Sequence, residues 1–255
     1  MSNKKVRDQV KTVIVGAGRT GKEVRKKVDE AEDMELIGVV TRHGADEKCL
    51  DSLAELEEIP EVIIDFSKPE RLDEILHYAE SNSIPLILGT TAYSEEQKNM
   101  IYKLSEKIPI VYTSNFSLGI TVLKQVLKQI TPILKEEFDI EVEEMHHSAK
   151  LDSPSGTTKM LLETLNKEQE YKLVYGRNGN ERRGKEIGVH SLRGGTVAGQ
   201  HNIVYAGEDE LLQISHQAHS NSIFAKGAVK AAKFILQKRN GIYDMSDVLF
   251  ERKGS

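Results

Sequence analysis

The chain has 255 residues, 38% of them apolar, with 35 basic against 40 acidic side chains for a net charge of −5. This composition suits one large or two modest globular domains and excludes wholesale disorder. The mildly acidic balance argues against nucleic-acid and anionic-membrane binders, and no apolar run approaches the roughly 18 residues a membrane span needs.

The opening stretch, residues 1–11, is polar and shows no secretory or transit pattern, so a soluble, cytoplasmic chain is expected. Cys49 is the single cysteine. Without a second thiol to form a disulfide or share a metal, it is expected to be incidental.

Short apolar runs alternate with amphipathic stretches over the first 115 residues. Residues 12–15, 36–40, 62–66, 85–88 and 110–112 read as strands, and residues 21–32, 69–81 and 94–107 as helices. Ser67 ahead of Pro69, and Ser94 ahead of Glu95 and Glu96, supply helix-start chemistry. This alternation predicts an α/β fold, a Rossmann-like doubly wound parallel sheet.

Beyond Asn115 the pattern changes. A helix is expected from residue 118 to about 135, a strand at 140–145, and a helix starting near Pro154. Further strands are expected at 187–192, 200–205 and 211–215, among eight of the nineteen glycines, and together they read as a second, α+β domain. Residues 177–186, charged and glycine-rich, read as a mobile loop. The final helix, 223–237, and the tail 243–250 are expected to return to the first domain. The boundaries that follow are a dinucleotide-binding domain of residues 1–117 plus 221–255 and a substrate-binding domain of residues 118–220.

The first chemical motif is Gly16-Ala17-Gly18-Arg19-Thr20-Gly21, a G-x-G-x-x-G after the first strand and at the opening of the first helix. Glycines there permit a tight turn and let a pyrophosphate reach backbone N–H groups at the positive helix end. The second strand ends in Thr41-Arg42, with no acid for a free ribose 2′-hydroxyl and a guanidinium that suits a 2′-phosphate. The cofactor expected is therefore NADPH or NADH, with NADPH favoured. Phe66-Ser67, Gly89-Thr90-Thr91 and Thr113-Ser114-Asn115-Phe116 follow later strands, where the carboxyl ends of a doubly wound sheet line the ligand crevice.

Six of the eight histidines lie between His146 and His219, which makes the second domain the place for proton chemistry. A strand ending in His146-His147-x-x-Lys150 offers an imidazole and an ammonium within one loop. Ser155-Gly156-Thr157 then presents N–H and hydroxyl donors at a helix start, a receptor for an anionic substrate. No metal is expected, because the histidine spacing matches no zinc pattern. Leu151 stands where a phosphate loop needs its first glycine, and no G-x-S-x-G elbow occurs, which disfavours ATPase and serine hydrolase readings.

Over nearly its whole length the sequence resembles the dihydrodipicolinate reductase family, also called 4-hydroxy-tetrahydrodipicolinate reductases. The resemblance rests on the glycine loop, Asp65-Phe66-Ser67-x-Pro69-Glu70, Gly89-Thr90-Thr91, Asn115-Phe116-Ser117-x-Gly119, Arg193-x-Gly195, Gly199-x-His201 and Phe224-Ala225-x-Gly227-Ala228. Above all it rests on Glu144-x-His146-His147-x-x-Lys150-x-Asp152-x-Pro154-Ser155-Gly156-Thr157. It implies an NAD(P)H-binding first domain, a second domain whose mixed sheet assembles a homotetramer, and reduction of a small dicarboxylate ring in diaminopimelate and lysine biosynthesis. Hydride would go to C4 of the ring, with His146 as general acid and Lys150 as second proton donor and carboxylate partner. His147, Ser155, Gly156 and Thr157 would hold the substrate. Thr41 replaces an acid common in the family, Gln200 stands where many members carry an acid, and Asn221 stands where an arginine is common. Two alternatives are a dehydrogenase of another anionic amino or imino acid and a nucleotide-sensing protein without activity.

Overall fold

The computed structural model describes residues 9–42 and 47–250. In chain order the first elements are β1 (Val10–Val15), α1 (Arg19–Asp29), β2 (Met34–Val40), β3 (Cys49–Leu50), β4 (Val62–Asp65), α2 (Leu72–Asn82), β5 (Leu86–Leu88), α3 (Glu95–Ser105), β6 (Pro109–Tyr112) and α4 (Leu118–Leu134). They are followed by β7 (Asp139–His146), α5 (Gly156–Leu165), β8 (Lys172–Tyr175), β9 (Glu186–Arg193), β10 (Gly199–Ala206), β11 (Leu211–Ala218), α6 (Ser222–Ile235), β12 (Gly241–Tyr243) and α7 (Met245–Leu249). The chain divides into two compact units, Met1–Leu118 with Asn221–Ser255, and Gly119–Ser220.

The first unit holds a seven-stranded sheet in the order β12-β6-β5-β4-β1-β2-β3, with every pair parallel. Its strands are apolar on both faces, as a sheet covered by helices on both sides requires. Ile14, Val62, Ile64, Ile87 and Val111 face a core built with Val24 and Val28 of α1 and Ala225, Ala228, Ala231, Ala232 and Ile235 of α6. Val13, Val15, Ile63, Leu86 and Leu88 point the other way, onto Ile75, Leu76 and Ala79 of α2 and Ile101 and Leu104 of α3. This is the doubly wound, Rossmann-like sheet that the alternation of the sequence predicts. Small residues let α6 approach closely, and a Cβ on Gly227 would collide with the Phe116 carbonyl oxygen.

Ser94 caps α3 with a full capping box, its hydroxyl accepting from Gln97 N–H at 3.1 Å. Ser67, by contrast, caps nothing. A 3-10 turn at Pro69–Arg71 precedes α2, and the Ser67 hydroxyl turns back to donate to Asp65 Oδ1 at 2.5 Å. Two short edge strands escape the sequence pattern. Cys49 lies in one of them, β3, whose two residues pair with Val39 and Val40 of β2.

The second unit is a mixed five-stranded sheet, β11-β10-β7-β9-β8. Strands β7, β9 and β8 run parallel, while β10 pairs antiparallel with both β7 and β11. Helices α4 and α5 cover one face through Ile120, Leu123, Leu127, Leu161, Leu162 and Leu165, which meet Ile140, Val142, Ile187, Val189, Ile203 and Tyr205. Within this core the Tyr205 and Thr131 hydroxyls hydrogen-bond at 2.6 Å, and burial pushes the Tyr205 phenol up to about 12. In the segment expected to be mobile, residues 177–185 have no regular structure and Glu186 opens β9, and the segment is anchored. Arg183 pairs with Asp139 at 2.8 Å and with Glu141, and donates to the Ile140 and Glu186 carbonyls. Among the described residues no helix is long and apolar enough to cross a membrane.

Candidate active site

The glycine turn lies at the carboxyl end of β1, an interior strand between β4 and β2. Gly16 has φ +102°, a conformation that favours glycine, and a Cβ there would sit 2.5 Å from the Phe66 carbonyl oxygen. Gly21 packs against the Gly16 carbonyl, so a side chain at 21 would push the turn apart. Gly18 precedes α1 with open space around it, and among the described residues no side chain caps the helix. The first turn of α1 also lacks an acid, so its N–H groups and positive end suit a phosphate.

Gly18, Arg19, Thr20, Phe66, Ser67, Gly89, Thr90 and Thr91 line a groove of about 230 Å³ over this turn. Asp65, wholly buried at the end of β4, organises the groove's floor. Its Oδ1 accepts the Ser67 N–H at 3.0 Å and the Ser67 hydroxyl, and its Oδ2 accepts the Tyr93 hydroxyl at 3.0 Å. Burial pushes the Asp65 carboxyl above the usual range despite these bonds. Ala17 is half-buried and packs against the core on the α6 face. Thr41 and Arg42 follow β2, with Arg42 exposed. Thr113 Oγ1 accepts the Asn115 N–H at 3.2 Å, Asn115 Oδ1 accepts the Ser117 N–H at 2.8 Å, and Ser114 is exposed. The Phe116 ring belongs to the core, 1% exposed and tilted against Phe66 at 5.3 Å, so it supports the loop from beneath.

The second cluster forms where β7 ends. Ile140, Val142, Glu144 and His146 share one side of the strand, so the pleat that buries two aliphatic residues also buries a carboxylate and an imidazole. His146 Nδ1 hydrogen-bonds Glu144 Oε2, and Glu144 Oε1 accepts from Arg193 Nη2 at 2.9 Å and from the Ser155 N–H at 3.2 Å. Burial opposes the Glu144 charge, but bonds from Arg193, Ser191 and His146 outweigh it and hold the carboxyl below its ordinary range. Burial lowers the pKa of His146, and the Glu144 carboxylate only partly offsets this. Glu144, His146 and His201 carry donor atoms within 4.8 Å of one another, a spacing a metal could bridge. Both Glu144 oxygens are already engaged by protein donors, and Arg193 supplies the positive charge.

Lys150 follows in the turn after β7, its N–H bonded to the His147 carbonyl at 3.1 Å. Its ammonium reaches the exposed carboxylate of Asp152 at 2.7 Å. His147 is half-buried. Ser155, 2% exposed, caps α5 by accepting the Thr158 N–H at 3.1 Å, and its hydroxyl also lies 3.2 Å from His201 Nε2. The Ser155 donors are therefore spent inside the protein, and the accessible first turn of α5 belongs to Gly156, which is exposed, and Thr157.

The structure thus gathers His146, Lys150 and the Ser155-Gly156-Thr157 helix start within one unit, and the glycine loop with Gly89-Thr90-Thr91 in the other. The residues that sequence reasoning did not assign are Glu144, Arg193, His201 and Asp65. Glu144 carried a readable signal, since it continues the core side of β7.

A parallel doubly wound sheet with a glycine turn on its first strand, accompanied by a mixed-sheet unit bearing a buried imidazole–carboxylate pair, defines a two-unit, dinucleotide-dependent oxidoreductase. Residues 10–116 match the family model described as dihydrodipicolinate reductase, N-terminus, and residues 119–249 match its C-terminus. The 4-hydroxy-tetrahydrodipicolinate reductase of Clostridium novyi is 36% identical over 94% of this chain and 98% of the relative. The reductase of Brachyspira hyodysenteriae is 39% identical over 94% of this chain and 100% of its own length. Dipicolinate-bound dihydrodipicolinate reductase from Paenisporosarcina sp. TG-14 has the same fold, with a TM-score of 0.78 and 22% identity over 94% of this chain and 99% of that one. The chain belongs to the dihydrodipicolinate reductase family.

Proposed function

We propose that the chain reduces 4-hydroxy-tetrahydrodipicolinate to tetrahydrodipicolinate with NAD(P)H, in the diaminopimelate and lysine pathway. The observation that carries this reading is the His146–Glu144 pair beside Lys150 and the open first turn of α5, in a chain of this family. The first unit is the dinucleotide-binding domain, and the second binds substrate. Gly16, Ala17, Gly18, Arg19, Thr20 and Gly21 form the pyrophosphate turn, and Gly89, Thr90, Thr91, Thr113, Ser114 and Asn115 extend the cofactor groove, with Phe116 beneath it. Exposed Arg42 after Thr41 favours NADPH, because a guanidinium pairs with a 2′-phosphate.

When bound, NAD(P)H would supply a hydride for C4 of the ring, the C4 hydroxyl and a neighbouring ring hydrogen having left together as water, so that one hydride and one proton complete the reduction. Gly156 and Thr157 N–H groups receive one ring carboxylate, and His147 borders the same turn. Lys150 exchanges Asp152 for a substrate carboxylate and stands as a second proton donor. His146, whose pKa burial lowers, gains a proton as a dianion arrives and gives it to the ring when negative charge develops there. The uncovered face of the mixed sheet carries exposed Leu192 and Leu211, which supports self-association into a homotetramer.

The test couples aspartate semialdehyde and pyruvate through a synthase and follows NADPH, then NADH, absorbance on addition of this protein. His146→Gln and Lys150→Ala are each expected to lower turnover by about 100-fold or more while leaving dinucleotide binding intact. Full turnover in both variants, or a clear preference for another anionic imino acid, would refute the reading.

A further inference from the structure

We infer that Glu144 is a positioning residue that fixes the tautomer of His146, so that Nδ1 carries a permanent hydrogen and Nε2 carries the proton that is transferred. The inference rests on His146 being the proton donor of the proposed reaction.

The geometry leaves little freedom. An ionised carboxylate only accepts hydrogen bonds, so the short contact between Glu144 Oε2 and His146 Nδ1 requires the hydrogen on Nδ1. The other ring nitrogen lies over Gly199, where a Cβ would sit 3.0 Å from Nε2. Glycine therefore leaves room beside the nitrogen that must exchange its proton. Glu144 itself is held from two other segments, by Arg193 at the end of β9 and by the backbone N–H of Ser155 at the start of α5. With a side-chain exposure of 0%, it keeps its charge only because those donors are in place. One buried carboxylate therefore sets both the orientation of the imidazole and the position of the helix start that receives the substrate.

The charged and titratable groups facing His146 are Glu144 on its own strand, Arg193 from β9, His201 from β10, whose ring meets it edge-on at 5.3 Å, and Lys150 from the following loop. Only Glu144 favours the protonated ring. Burial, Lys150 and Arg193 all oppose it, so removing the Glu144 charge lowers the His146 pKa further. Because a general acid loses activity as pH rises past its pKa, that loss must then begin at lower pH.

Two measurements on the full chain test this. Nitrogen-15 spectra of the neutral His146 ring, assigned by the signals missing from His146→Gln, should show the hydrogen on Nδ1; a ring protonated on Nε2 overturns the inference without any variant having to fold. Glu144→Gln, which preserves shape, should lower kcat/KM about 10- to 100-fold and move its alkaline limb down by about 1 pH unit. A rate loss with an unmoved limb would mean a merely structural role for Glu144 and refutes the inference. If His146→Gln is inactive while Glu144→Gln keeps wild-type rate and pH profile, the role of Glu144 fails and that of His146 stands. An active His146→Gln instead removes the reading on which the inference rests.

Discussion

Arg193 on β9 donates from Nη2 to Glu144 Oε1 on β7 at 2.9 Å, and the same nitrogen lies 2.6 Å from the Asp152 carbonyl oxygen. The bond joins two parallel strands to the loop that carries Lys150. Arg193→Ala would leave a fully buried carboxylate without its cation, a change that costs about 3 kcal/mol. Arg193→Lys should recover only part of this, since one ammonium on a flexible stem does not reproduce a planar fork that serves Glu144 and the Asp152 carbonyl through Nη2 and the Leu192 carbonyl through Nη1. Denaturant midpoints of the three proteins should rank wild type, then Lys, then Ala, and equal midpoints would show that the pair contributes nothing net.

Thr41 follows the last residue of β2, and in the proposed cofactor site a carboxylate there would meet a free ribose 2′-hydroxyl and repel a 2′-phosphate. Thr41→Asp should therefore shift the ratio of kcat/KM for NADPH over NADH toward NADH by about 10-fold or more, equivalent to about 1.4 kcal/mol of added repulsion and bonding. Steady-state kinetics with both cofactors measure the ratio. An unchanged ratio would place the 2′ position away from Thr41 and Arg42.

Much of this molecule is legible in its residue order. Alternation of short apolar runs with amphipathic stretches marks β1, β2, β4, β5 and β6, because a strand covered on both faces has to be apolar throughout. The glycine turn is equally readable, since its backbone demands glycine at 16 and 21. What escapes is whatever depends on partners distant in sequence. β3 owes its pairing to the edge of β2, and β8, with only Lys172–Tyr175, is defined by its ladder with β9. Arg183 pins a segment whose composition suggests mobility, because Asp139 and Glu141 lie some forty positions away. Ser155 reads as a substrate donor from its motif, whereas its hydroxyl serves α5 and His201. Glu144 is legible as the acid on the same side of β7 as Ile140, Val142 and His146, a position where an unpaired charge could not persist.

His201 provides a pH signature of that buried cluster. It is 4% exposed, and burial, reinforced by the neighbouring His146, pushes its pKa down to about 4 from the 6.5 of an unfolded chain. Between those values the unfolded chain binds a proton that the folded chain refuses. Stability is therefore fully present above pH 6.5 and declines as pH falls toward 4, by an amount on the order of 3 kcal/mol from this site. Depressed pKa values at Glu144 and His216 also weaken the fold in acid, so the comparison that isolates His201 is with a residue that keeps a bond to Ser155 and does not titrate. His201→Gln should show a flatter dependence of denaturant midpoint on pH between 6.5 and 4 than the wild-type chain. Parallel curves for the two proteins would mean that His201 is not held neutral by its burial.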